Sequence, residues 1–136
     1  MKKILSTIIC LIVLVGCIPI SAFAAEPGIA PYYNNVQRTD TDFFIEDNGV
    51  ATVCVSFNGF VGETTGATIV TKIEKRFLLL FWTDVETWTD EVSGCYYSTS
   101  HSTTVKSGTY RATVEYTIRG TGGASDVITD ELEYKY

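Results

Sequence analysis

Few side chains in this 136-residue chain have the types and spacing that chemistry requires. His101 is the only histidine, and Ser100 and Ser102 flank it. Neighbours on an extended chain point to opposite faces, so neither serine shares a face with the imidazole. A Ser-His-Asp relay also needs a base held by a buried carboxylate beside a strained serine. Asp40, Asp42, Glu46 and Asp47 fall close together but lack the Asp-x-Asp-x-Asp-Gly spacing of a calcium loop. They read as solubility charges or as gatekeepers on an edge strand. Gly120-Thr121-Gly122-Gly123 has neither the Lys-Ser/Thr nor the following helix of a phosphate-cradling loop. No catalytic residue, metal ligand or cofactor is assigned. A carboxylate-dependent hydrolase stays open as an alternative, because no pair can be picked from sixteen acids by sequence alone.

Cys54 and Cys95 are the two cysteines outside the leader described below. Outside a cell they could form a disulfide, and the loop between them would give about 3–4 kcal/mol in the chain-entropy model. Cys54 sits in Ala51-Thr52-Val53-Cys54-Val55-Ser56-Phe57, where alternation puts it on the outer face with Thr52 and Ser56. A bridge therefore requires the Cys95 strand to be its direct neighbour. Unpaired thiols are the competing reading. With no basic partner evident beside either cysteine, a thiol active site does not follow.

The aromatic residues are the strongest lead. Phe81, Trp82 and Trp88 cluster near one turn, followed by Tyr96 and Tyr97. Such rings stack on sugars or anchor protein partners, although they also fill cores. Phe77 to Trp82 is an uninterrupted apolar run. Six such residues cannot all face one core from a strand, so either both faces are covered here or part of the run is exposed. Phe81, Trp82 and Trp88 are the expected contact residues, with an extracellular protein or glycan as the expected partner.

The leader sets the expected address. Lys2-Lys3 begins a signal whose apolar stretch, Ile4 to Val15, is too short for a membrane span of about 20 residues. Ala22-Phe23-Ala24 then places small residues for cleavage after Ala24. Leu14-Val15-Gly16-Cys17 offers the alternative of a surface lipoprotein anchored at Cys17. Cleavage after Ala24 leaves eight basic and sixteen acidic side chains, a formal charge of −8. That balance disfavours nucleic acid and anionic membrane surfaces, which must be met by cations. Membrane attachment would then need the lipid at Cys17.

Positioning falls to strands. Residues 25–39, with Pro27, Gly28 and Pro31, read as an extended lead-in to a domain over 40–136. Phe43 and Ile45 begin the alternation, and Asp47-Asn48-Gly49 signals a hairpin. Val53, Val55 and Phe57, then Ala67, Ile69, Thr71 and Ile73, continue it. The stretch from Trp82 to Trp88 reads as a turn with a strand start beyond it, and 96–105 as a polar edge strand. A short helix over 72–81 is the competing reading for that segment. Tyr110, Ala112, Val114, Tyr116 and Ile118 alternate most cleanly, and Ile128 to Tyr136 closes the chain. About seven strands with no convincing helix describe an all-β sandwich.

Ser107-Gly108-Thr109-Tyr110-Arg111-Ala112 resembles the start of strand F in immunoglobulin-like domains. The resemblance implies a tyrosine corner at Tyr110, and Ala112 in place of the second cysteine of antibody domains. The precursor also resembles a group of short secreted proteins of Gram-positive bacteria. The shared features are Ala22-Phe23-Ala24-Ala25, Tyr32-Tyr33-Asn34-Asn35, Phe81-Trp82-Thr83-Asp84 and Gly120-Thr121-Gly122-Gly123-Ala124. That likeness implies fold and extracellular address, and no functional residue.

Overall fold

Period-two alternation becomes seven antiparallel strands in the structure, a computed structural model that describes residues 32–136. The expected signal, its cut after Ala24 and Cys17 lie outside those residues. The strands are β1 (Val36–Ile45), β2 (Val50–Gly59), β3 (Thr64–Phe77), β4 (Phe81–Ser93), β5 (Tyr96–Thr104), β6 (Thr109–Gly120) and β7 (Asp126–Lys135). One sheet has the order β1-β2-β5 and the other β4-β3-β6-β7. This is an immunoglobulin-like sandwich, with β2 and β3 as strands B and C, β6 as strand F, and β4 added beside strand C.

The core comes from the alternating positions of the three central strands. Ala51, Val53, Val55 and Phe57 from β2 meet Ala67, Ile69 and Ile73 from β3 and Ala112, Val114 and Ile118 from β6, all essentially out of water. β1 lies against β7 along one edge of the sandwich, and β4 against β5 along the other. The tyrosine corner is present: the Tyr110 hydroxyl donates to Lys106 O at 2.5 Å.

Two expectations about local structure change. β1 starts at Val36, inside the segment read as a lead-in. The reason is a clamp at its base. Asp126 accepts from the backbone N–H groups of Asn34 and Asn35 at 3.1 and 2.6 Å, and Asn35 Nδ2 donates to Ala124 O at 2.9 Å. Gly120 permits this, since a Cβ there would lie 2.2 Å from Asn35 Oδ1 and 2.7 Å from Glu63 O. The Asn-Asn and Gly-rich segments thus hold each other. The second change is that Trp82 to Trp88 is strand throughout, because β3 and β4 form one long hairpin.

The disulfide expectation fails on register. β5 is indeed the direct neighbour of β2, but Cys54 pairs across to Ser100, whereas Cys95 precedes Tyr96, the partner of Asn58. Five residues of strand separate Cys95 from the rung of Cys54, about 16 Å at 3.3 Å per residue. A disulfide needs Cα atoms within about 7 Å. Both cysteines carry thiols. Thiol titration of the exported, unfolded protein without reductant should therefore find both groups reactive; a missing pair would refute this register.

Tyr116 ties the sheets together at the β1–β7 edge. Thr41 Oγ1 donates to Asp130 Oδ2 at 2.6 Å and so accepts from the Tyr116 hydroxyl at 2.7 Å. Burial, reinforced by the charges of Asp130 and Asp40, pushes the Tyr116 phenol up to about 12. An unfolded phenol ionises near pH 10. The native state holds this proton more tightly, so the group's contribution to stability is intact below about pH 10 and is lost as pH rises towards 12. In a spectroscopic alkaline titration, Tyr116→Phe should remove a tyrosine step near pH 12. It should also flatten the fall in stability over that window, whereas an unchanged profile would contradict the assignment.

Candidate functional site

The expected contact residues separate in space, and a single irregularity separates them. On the core side of β3, Ala67, Ile69, Thr71 and Ile73 lie opposite Val92, Asp90, Trp88 and Glu86. The register then shifts: Ile73 pairs with Glu86 but Glu74 pairs with Asp84, leaving Val85 as an extra residue in β4. Such a bulge reverses which positions face in. Trp88 is therefore on the inner side, packed against the core, while Trp82 sits opposite Arg76 on the outer face.

Trp88 closes the β4–β5 edge. Its ring stacks on His101 with centroids 5.0 Å apart and planes 9° from parallel. His101 Nε2 is 2.7 Å from Asp90 Oδ2. The lone histidine thus links β5 to β4 across the sandwich, between an indole and a carboxylate. The residues flanking it, Ser100 and Ser102, face outward, where Ser102 bonds Thr52 at 2.9 Å.

Trp82 covers an ion-pair network on the outer face of the four-stranded sheet. The guanidinium carbons of Arg76 and Arg111 lie 4.7 and 4.5 Å from its ring centroid. Arg76 Nη2 donates to both oxygens of Glu133 at 2.9 and 3.0 Å. Arg111 Nε donates to Glu74 Oε2 at 2.9 Å, with Nη2 at 2.8 Å from the same atom. Partial burial opposes the Arg111 charge, but Glu74 and then Glu131 outweigh it and raise its pKa above the ordinary arginine value. The π surface of Trp82 is thereby taken up by cations. Trp88 has one face on His101, and Trp82 spreads over two guanidinium groups.

Phe81 belongs to a different surface, the apex of the β3–β4 hairpin. β6 makes its last rung with β3 at Lys75–Tyr110, so the rungs Arg76–Trp82 and Phe77–Phe81 project beyond it. At the apex, Phe77 is 58% exposed, Leu78 69%, Leu79 85%, Leu80 81% and Phe81 61%. The apolar run is resolved as exposure, not as two covered faces. Leu78 and Leu79 have φ of 48° and 65°. Two consecutive left-handed residues are what hairpin turns ordinarily obtain from Asn-Gly, whereas a leucine there crowds its Cβ against the backbone. Beneath the apex an open groove of about 340 Å³ is lined by Lys75, Arg76, Phe77, Thr83, Asp84 and Val85.

Comparison with known protein families and with curated proteins finds no match to this chain. Functional inference therefore rests on the apex itself.

Hydrophobicity flags the apex in the sequence and puts Leu78 in the expected contact region with Phe81, Trp82 and Trp88, but Leu79 and Leu80 carry no such signal, because no pattern marks the run as a turn. Replacing Leu78-Leu79 by Asn-Gly should relieve the left-handed strain and stabilise the domain by about 1–2 kcal/mol. Chemical denaturation of wild type and double variant measures this. A loss of stability would show that the leucines are held by packing and not merely tolerated.

Proposed function

We propose that this is a secreted, non-catalytic binding module whose contact element is the β3–β4 apex, Phe77 to Phe81, with Trp82 at its base. The observation that carries the reading is a contiguous exposed hydrocarbon surface at a turn that polar residues or glycine would fill at lower conformational cost. Monomeric soluble proteins seldom keep such a patch without a partner. Export through residues 1–24, as the leader suggests, would present it outside the cell. The surroundings of Trp82 and Trp88 favour an apolar receptive surface over a stacked sugar.

The test is retention of the exported protein on whole cells. Leu78→Asn/Leu79→Gly should lose at least about tenfold in retention, in line with two leucines withheld from an apolar contact, with the fold intact by circular dichroism. Retention equal to wild type would remove the apex from the reading. Mass spectrometry of the same preparation should find Ala25 as the first residue; lipidated Cys17 would instead make the module a surface-anchored one.

A further inference from the structure

The class of partner can be taken one step further, on the premise that the apex is the contact element. We infer that the apex inserts into the surface of a lipid bilayer. A protein pocket receives a ligand from one side and meets it with directed polar contacts at the rim. This apex has no polar side: Phe77 and Phe81 flank the turn, and Leu78, Leu79 and Leu80 fill it, all more than half exposed. Hydrocarbon presented in every direction suits a medium more than a complementary shape.

The residues behind the apex support the same reading. One rung back stand Trp82 and Arg76, and one further back Lys75 and the exposed Tyr134, on either side of the buried Tyr110. Lys135 opposes Thr109, level with Arg76 on the apex side of that rung. Among the described residues, which hold fifteen carboxylates against eight lysines and arginines, Lys75, Lys106 and Lys135 form no ion pair. Tryptophan, tyrosine and cations behind a hydrocarbon tip match the layering of a bilayer, where aromatic rings and snorkelling cations settle at headgroup level. Leu79 lies three residues beyond Arg76, at most about 10 Å of extended chain. That reach equals the depth to which interfacial segments enter the headgroup and acyl boundary. Phosphate headgroups complement Lys75 and Lys135 in this collar, where Arg76 is paired with Glu133 and Asp84 lines the groove beneath the apex. The excess of carboxylates over the whole chain opposes a strongly anionic surface, so zwitterionic phosphatidylcholine is the bilayer to try first.

The experiment is flotation of the exported protein with phosphatidylcholine vesicles, with tryptophan emission read in parallel. Wild type should float and shift its emission to the blue. Trp88→Phe should keep the shift and Trp82→Phe should lose it. Leu78→Asn/Leu79→Gly, whose turn is relaxed rather than damaged, should reduce flotation at least about tenfold. Failure of wild type to float, or equal flotation of wild type and double variant, overturns the lipid inference. If the double variant nevertheless falls off cells while wild type ignores vesicles, the apex contacts a protein, and the binding-module reading stands without the bilayer.

Discussion

The strand's period of two governs this molecule. Each residue of β2 and β6 is assigned to the interior or to the outer face by its parity, and β3 keeps the same alternation from Ala67 to Ile73. Ala51, Val53, Val55 and Phe57 are sealed in while Thr52, Cys54 and Ser56 face out, with no exception along the strand. The consequences reach beyond the core. Parity keeps Cys54 outward, and register then keeps it from Cys95 even though their strands are neighbours. Parity also leaves the outer face of the four-stranded sheet for charge, where Glu74, Arg76 and Arg111 build a network that Trp82 covers.

One extra residue resets that rule. Trp82 and Trp88 are both even-numbered and would share a face on a regular strand. The bulge at Val85 sends Trp88 inward to His101 and Trp82 outward to two guanidinium groups. Bulges are set by the partner strand and by what the two faces can accept. No residue in Thr83 to Thr87 announces one, and so the separation of the two indoles could not be read from the chain. Neither could the clamp that pulls Asn34 and Asn35 onto the Gly120–Ala124 turn, since its partners are some ninety residues apart.

What was legible depended on regularity. The sandwich, its strand count and the role of Tyr110 follow from alternation or from a local motif, and the structure carries them, whereas most of β4 reads as a turn in the sequence. The apex was half legible. Its hydrophobicity stood out, but its conformation did not, because turn chemistry is ordinarily signalled by glycine, asparagine or aspartate. Leucine at φ of 48° and 65° is a turn written in residues that argue against a turn. For the same reason Trp82 to Trp88 looked like the bend, when the bend had already happened three residues earlier.

That conflict between local preference and observed shape is itself informative. A chain whose levels otherwise agree departs from its own rules where some requirement other than folding acts. The core, the corner and the clamp are each consistent with the residues that build them. The apex is not: it places bulky hydrocarbon in water, on a backbone conformation that strains it, at the far end of a hairpin that outreaches its supporting sheet. Both costs are borne in the isolated molecule, and the exposure cost is recovered only where the leucines leave water. The rigid ladder behind the apex, anchored by the Arg76 and Arg111 pairs under Trp82, means that little further ordering is required at that moment. A preformed tip held out from a stable sandwich is therefore better suited to entering an apolar environment than to folding around one.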